Sequence, residues 1–309
     1  MESKETETLG LLRSAGRVGL VLSGGSARCA YQIGVIETLV ELGIRPALCV
    51  GVSGGAWNAA AVAVGHAHRL RTYWRAFSRM PGLDLRNLLR EHSPYRWNEI
   101  HRRTFSRYVG PERLRRPETL PVFVGVTRLA DRQALYYDLR TAEDSLKVLL
   151  ASNYLPPFYT HAPRIDGERC GDGGMCNNIP YEKAFEEGCD AVVLVTMKGE
   201  SEGMPNRSPR EIEHIVPPVY RDRLVVIRPR HRLPTPFLER RWPVLVHAIE
   251  LGRLRAREVL LGEVHPAAEV RMDRIAPTVL LARLLLSGWL SPIRRRSIRR
   301  RSMAWRRRL

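Results

Sequence analysis

Short apolar runs punctuate the chain, separated by polar, glycine-rich or helix-patterned stretches. Val18-Gly19-Leu20-Val21-Leu22 reads as a buried strand, followed by the loop Ser23-Gly24-Gly25-Ser26 and a helix from about Ala27 to Leu42 that Gly43 closes. Ala47-Leu48-Cys49-Val50 leads through Gly51-Val52-Ser53-Gly54-Gly55 into the helix-patterned Ala56-Trp57-Asn58-Ala59-Ala60-Ala61-Val62-Ala63. The link between the two units is short, so their strands are expected to lie parallel as neighbours in one sheet. Leu120 to Val126, Ala134 to Tyr137, Ala191 to Met197 and Leu224 to Ile227 supply further strands. The predicted fold class is α/β, with a central, mainly parallel sheet flanked by helices.

Two stretches stand outside this rhythm. Arg69 to Arg116 is rich in arginine and carries Tyr73, Trp74, Phe77, Tyr95, Trp97, Phe105 and Tyr108 at roughly helical spacing; it is expected to cover the sheet rather than to cap a site. Gly199 to Asp222, with Gly203, Pro205, Pro209, Pro217 and Pro218, reads as a surface loop.

The serine at the strand-to-helix turn is the first candidate for chemistry. In a nucleophile elbow the positions two before and two after the serine must be small, and Gly51 and Gly55 fill both. A serine hydroxyl attacks a carbonyl only if one group accepts its proton and others stabilise the oxyanion that forms. For the oxyanion, Gly24-Gly25-Ser26 lies between a strand and a helix N-terminus, where backbone N–H groups converge, and the amide of Gly54 adds a donor. This loop is a poor nucleotide cradle: no GK[ST] follows it, and Ser26 and Cys29 occupy two of the three glycine positions of GxGxxG.

For the base, Cys170-Gly171-Asp172-Gly173-Gly174 holds a carboxylate in a glycine-rich turn, either aimed into a cleft or bonded only to its own backbone. His66 and His68 read as a solvated helix end, and His161 precedes the aspartate without an orienting carboxylate nearby in sequence. Cys170 and Cys176 flank Asp172, but nothing completes a metal-ligand set, so neither a metal nor a cofactor is expected.

Taken together, these pieces resemble the patatin-like phospholipase family over most of residues 17–200. Leu22-Ser23-Gly24-Gly25-Ser26-Ala27-Arg28-Cys29-Ala30 is similar to the family's glycine-rich oxyanion loop, with Arg28 as its arginine. Gly51-Val52-Ser53-Gly54-Gly55-Ala56 is similar to its nucleophile elbow. Asp172-Gly173-Gly174, followed by Asn178 and Pro180, resembles its catalytic aspartate motif, and Ala151-Ser152-Asn153-Tyr154-Leu155-Pro156-Pro157 resembles the segment before it. The resemblance implies a three-layer sandwich and a Ser53/Asp172 dyad without a histidine. It implies oxyanion binding by Gly24, Gly25, Ser26, Arg28 and Gly54, and turn-forming roles for Gly51, Gly55, Gly173 and Gly174. Ser26 and Cys29 depart from it, since the family usually has glycine at both. A Cβ there disfavours positive φ and narrows the space above the loop.

The expected function is therefore a lipid acyl hydrolase of the phospholipase A or esterase type, acting on a lipid or phospholipid acyl ester. The alternative is a catalytically weak or silent lipid-binding module, for which Ser26 and Cys29 are the argument.

Charge adds a second partner. The net charge is +18, and half of it sits in Arg294, Arg295, Arg296, Arg299, Arg300, Arg301, Arg306, Arg307 and Arg308, a run without an acidic residue. Such a tail is drawn to an anionic membrane face or to nucleic acid; with no nucleic-acid fold accompanying it, the membrane is the expected partner. Ile275 to Leu290 ahead of it is apolar but broken by Pro277 and Arg283, too short for a span, and either lies in an interface or packs on the domain.

The division expected is a polar extension over residues 1–16, a catalytic domain over 17–265 and an apolar segment with a basic tail over 266–309. The polar, acid-rich opening lacks the features of a secretory signal, and Cys29, Cys49, Cys170, Cys176 and Cys189 include no CxxC pair. A cytoplasmic protein, peripheral at the inner membrane face through its tail, is the expectation.

Overall fold

A computed structural model describes residues 6–87, 89, 93–156, 162–200 and 216–264. The apolar runs become the strands of an eight-stranded sheet: β1 (Val18–Leu22), β2 (Leu48–Val52), β3 (Val122–Arg128), β4 (Ala134–Asp138), β5 (Arg164–Ile165), β6 (Glu168–Asp172), β7 (Ala191–Val195) and β8 (Leu224–Ile227). Every residue of β1, β2 and β7 is buried, which is why these segments read as continuous apolar runs. The order is β5-β6-β3-β2-β1-β7-β8, with β4 beside β3. β8, β7, β1, β2 and β3 run parallel, as expected for the first two; β4 and β6 pair with β3 antiparallel.

Side-chain alternation divides the core between the two faces of the sheet. Val21, Val50, Val192 and Leu194 point to the side of helix Tyr181–Glu186, with Tyr181 and Ala184 beneath them. Leu20, Leu22, Cys49 and Val193 point to the opposite side, toward α2 (Ala30–Glu41), α3 (Gly54–Ala63) and the long helix Trp242–Leu261. Helices on both faces make the α/β sandwich. All ten residues of α3 are buried.

α2 and the long helix cross backbone to backbone. A Cβ at Gly34 would collide with the carbonyl of Ile249, and one at Gly252 with the carbonyl of Tyr31. Alanine normally stabilises a helix interior relative to glycine, but here the steric term has the opposite sign and is larger.

Two features differ from the sequence reading. The opening residues are not merely polar: Glu7–Ser14 forms a helix whose Leu9 and Leu12 are buried, and Thr6 caps it by accepting from Leu9 N–H. The Thr6 hydroxyl also donates to the Leu260 carbonyl (2.7 Å), tying this helix to the end of the long one. The hairpin of β5 and β6 was not expected either. Asp166 and Gly167 turn it at φ 50° and 81°, the left-handed pair that an Asp-Gly hairpin uses. Most of the loop Gly199–Asp222 (residues 201–215), His161, the segment Ile275–Leu290 and the arginine tail lie outside the described residues. Among the described residues no helix is long and apolar enough to cross a membrane.

Gly34→Ala is expected to lower the stability of the fold by about 1–3 kcal/mol despite its gain in helix propensity. Chemical denaturation followed by circular dichroism checks this; an unchanged or higher midpoint would count against the close crossing.

Candidate functional site

The register of β3 brings two distant segments together. β4 occupies one edge of β3 from Phe123 to Thr127, so β2 and β6 share the other. There Val52 pairs with Gly125, and Asp172 pairs with the next residue, Val126. β2 therefore ends where β6, running the opposite way, also ends. Ser53 follows Val52, so it lines the same cleft as Asp172, and its hydroxyl lies close enough to the Asp172 carboxylate to favour the anion. The junction leaves no room for a side chain at Gly173, whose Cβ would strike the Gly125 carbonyl.

Ser53 stands at φ 52°, ψ −127°, a conformation that a residue with a Cβ adopts only under constraint. The elbow glycines allow it: a Cβ at Gly51 would press on Ala56 Cα, and one at Gly55 on the carbonyls of Leu22 and Ser23. Neighbouring side chains then grip both backbone groups of the serine. Its N–H donates to Ser152 Oγ (2.8 Å), and its carbonyl accepts from Asn153 Nδ2 (3.2 Å). Ser152 Oγ in turn donates to the Gly125 carbonyl (2.7 Å), anchoring the grip to β3. The sequence reading assigned Ser152 and Asn153 no role of their own.

Asp172 is held as firmly. Thr127 Oγ1 donates to its main-chain carbonyl (2.8 Å), and Gly174 N–H donates to its Oδ1 (2.8 Å). The carboxylate bonds its own turn and also lines the cleft beside Ser53. Asp172 is only 7% exposed, and burial pushes its carboxyl up to about 6, against the nearby Ser53 hydroxyl and the Gly174 N–H, which favour the anion.

The glycine loop curls over the serine as a short 3-10 turn, Ser26–Cys29. Ser26 and Gly54 line the cleft beside Ser53, and the N–H groups of Gly25, Ser26 and Gly54 have no partner among the described residues. Gly54 N–H is the first orphan donor of α3. Gly24 differs from the expectation. Its N–H donates to Asn178 Oδ1 (2.8 Å) and its carbonyl accepts from Asn178 Nδ2 (3.3 Å), so its amide braces the loop instead of facing a substrate. Arg28 does not line the cleft itself; its guanidinium lies 6.0 Å from the centroid of Phe237, a ring that does. Of the two departures from glycine, Ser26 carries the strain, at φ 52°, while Cys29 sits at an ordinary φ of −62°. Cys29 is fully buried with its Sγ toward the Ser23 carbonyl (3.6 Å), and burial pushes its thiol up, keeping it neutral.

A buried polar network holds this loop in place. Gln32 Nε2 donates to the Ser23 carbonyl (2.8 Å), and Asn58 Nδ2 donates to the Cys29 carbonyl (3.0 Å) and to Gln32 Oε1 (2.8 Å). Trp74 Nε1 donates to Asn58 Oδ1 (2.8 Å), extending the network to the helix Leu70–Arg79. Asn58 and Gln32 are wholly buried, and neither was singled out from the sequence.

The aromatic stretch Arg69 to Arg116 was expected to cover the sheet; instead its helices α4 (Leu70–Arg79) and α5 (Trp97–Tyr108) wall the cleft above Ser53. Tyr73, Trp74, Phe77, Trp97 and His101 line it, joined by Trp57 from α3 and by Leu155, Phe237 and Leu238. The rings form a ladder: His101 stacks on Trp57 at 4.6 Å, Phe77 on Trp97 at 5.8 Å and Tyr95 on Trp97 at 6.2 Å. Burial pushes the His101 imidazole down to about 3, so this ring is neutral and acts as part of an apolar wall. His66 and His68 do not line the cleft; His66 Nδ1 lies 2.6 Å from the Tyr108 carbonyl.

Parts of this chain are similar to known proteins. The profile of patatin-like phospholipases matches residues 20–185. A patatin-like phospholipase domain-containing protein of Neurospora crassa is 40% identical over 62 residues, which cover 20% of this chain and 7% of that protein. The uncharacterized protein YjjU of Escherichia coli K12 is 25% identical over 186 residues, 58% of this chain and 52% of the relative. The chain thus spans about half of the bacterial relative and a small part of the fungal one. Among solved structures, VipD from Legionella pneumophila aligns with 79% of this chain and 66% of its own, at 15% identity and a TM-score of 0.48. The family match runs from the strand before the glycine loop past the Asp172 turn and takes in more than half of the chain, which belongs to the patatin-like phospholipase family.

Proposed function

We propose that this protein is a lipid acyl hydrolase in which Ser53 is the nucleophile and Asp172 the general base. The observation that carries the reading is the register of β3, which sets Ser53 beside a buried Asp172 in one aromatic-walled cleft. Ser53 Oγ attacks the acyl carbonyl carbon as its proton passes to Asp172, and the carbonyl oxygen becomes an oxyanion facing the Gly25, Ser26 and Gly54 amides. Collapse breaks the ester bond; the leaving alcohol takes the proton from Asp172 and the acyl group stays on Ser53. Asp172 then accepts a proton from water, which attacks the acyl-enzyme; collapse breaks the Ser53 Oγ–acyl bond, Oγ takes the proton back from Asp172, and the fatty acid is released.

A carboxylate of ordinary pKa is a weak base toward a hydroxyl, and the upward shift of Asp172 moves it in the useful direction. The apolar cleft suits an acyl chain and excludes water from the developing charge. The silent-module alternative rested on Ser26 and Cys29. Cys29 is unstrained and both residues keep a backbone amide, so the loop retains its means of binding an oxyanion. Attachment of the arginine tail to an anionic membrane face on the cytoplasmic side, and the division into a catalytic part over 17–265 and a tail over 266–309, belong to the same proposal.

Release of fatty acid from soluble short-chain esters and from phospholipids tests the reading. Ser53→Ala and Asp172→Asn are each expected to lower kcat/KM by about 10,000-fold, and Ser53→Ala to abolish labelling by a fluorophosphonate. Excess chelator is expected to leave the rate unchanged. Hydrolysis that survives both substitutions would refute the assignment.

The base must be ionised to act, so activity is expected to be lost as pH falls through the raised Asp172 pKa. A kcat/KM profile on a neutral ester should rise to a plateau with its midpoint near the value of about 6 that burial gives this carboxyl. A midpoint near 4 would mean that Asp172 works as an ordinary solvated carboxylate.

A further inference from the structure

The loop between α4 and α5 turns leucines outward. Leu83 is 51% exposed, Leu85 64% and Leu89 89%. Residues 82–84, 87 and 94–96 of the loop are nevertheless hydrogen-bonded in place. Arg96 N–H donates to the Gly82 carbonyl (3.0 Å), Asp84 N–H to the Pro94 carbonyl (2.9 Å) and Asn87 Nδ2 to the Tyr95 carbonyl (2.7 Å), and Leu83 bridges Tyr95 antiparallel. The leucines are thus held facing outward on a hydrogen-bonded frame, an unfavourable exposure unless something covers them.

This frame is joined to the cleft wall. Gly82 packs directly against the Arg240 guanidinium, which lies 5.2 Å from the Phe77 centroid and 5.5 Å from that of Trp97, both rings of the cleft. Arg240 Nη2 also donates to the Phe77 carbonyl (2.6 Å), and Tyr95, the bridge partner of Leu83, continues the ring ladder through Trp97. Leu83, through Tyr95 and Gly82, therefore stands one packing layer from the rings of the cleft.

Charge selects the occupant. Arg75, Arg79 and Arg86 are exposed around the loop, and none has an ion pair among the described residues. The nearby Asp84 carboxylate is turned into its own backbone, accepting from Arg86 N–H (3.0 Å). A second copy of the chain meeting this surface about a two-fold axis would set arginines against arginines. A layer with apolar chains beneath anionic headgroups satisfies both the leucines and the arginines.

We propose that this loop is a lipid-docking surface: Leu83, Leu85 and Leu89 enter the apolar boundary of an anionic lipid layer while Arg75, Arg79 and Arg86 meet its headgroups. Docking there sets the aromatic cleft against the layer that holds the acyl chains. The inference rests on the acyl-hydrolase reading for its purpose, though its test does not.

The test is sedimentation of the full-length chain with vesicles of phosphatidylcholine and phosphatidylglycerol. Every protein carries Ser53→Ala, so hydrolysis plays no part in the result. At about 0.5 M salt, where attraction by the arginines is largely screened, Leu83→Ser/Leu85→Ser/Leu89→Ser is expected to weaken partition by roughly ten-fold or more, and Leu85→Ser alone by a smaller factor. Arg75→Gln/Arg79→Gln/Arg86→Gln is expected to weaken it several-fold at low salt and hardly at all at high salt. All variants should keep the parent's circular dichroism spectrum, because the altered side chains are exposed. Partition of the leucine variants equal to the parent's at high salt would overturn the proposal. So would a parent that fails to bind at high salt, or light scattering showing that the leucine substitutions dissociate a dimer formed without lipid.

Discussion

One edge of β3 is shared by two strands that meet head to head, and the rest of the site depends on that meeting. Val52 and Asp172 are opposite neighbouring residues of β3, so the chain places after β2 and at the end of β6 are forced together although 120 residues separate Val52 from Asp172 in sequence. The contact needs a glycine at 173, because the Gly125 carbonyl fills the space of a Cβ. It also needs β4 on the far edge of β3 so that β6 has only one place to pair. A slip of one residue in the β6 register would turn Asp172 to the other face of the sheet.

Around this junction, polar side chains take up strain and charge that would otherwise destabilise the fold. Ser53 keeps its unusual backbone because Ser152 and Asn153 hold both its N–H and its carbonyl. The glycine loop is fixed by Asn178 from one side and by Gln32 and Asn58 from the other. Asp172 is the counterexample, a buried carboxyl raised from 3.8 to about 6. Because its folded pKa lies above its unfolded one, the native state binds the proton more tightly between those values, and stability falls as pH rises through that window. The loss is on the order of 3 kcal/mol above pH 6. That is the expected direction for a group kept for its chemistry rather than for stability.

The sheet was legible because its central strands are buried on both faces and so read as unbroken apolar runs; Leu224–Ile227 was bounded from sequence as it occurs. The two turns that carry Ser53 and Asp172 were legible for a different reason. Small residues are required on both sides of Ser53 and after Asp172, and such requirements leave a local mark in the sequence. Where the expectation went astray, the deciding contact is long-range. The amide of Gly24 is claimed by Asn178, 154 positions away, and no pattern near Gly24 announces it. The aromatic helices looked like cover because helical spacing records which residues are inward, not what they face. The helix Glu7–Ser14 was hidden by its polar residues, since only Leu9 and Leu12 are buried. The β5/β6 hairpin did carry a local signal, the Asp166-Gly167 pair, that was not read.

The central claim is that burial and the Ser53 hydroxyl together set the ionisation of Asp172. Its most direct test is titration of the Asp172 carboxyl carbon by nuclear magnetic resonance in the full chain, with Asp172→Asn to assign the signal and Ser53→Ala to remove the donor. The account predicts a midpoint near 6 that moves higher in Ser53→Ala, because the hydroxyl favours the anion. A midpoint near 4, unchanged by Ser53→Ala, would contradict it: the carboxyl would then be solvated and out of contact with the serine.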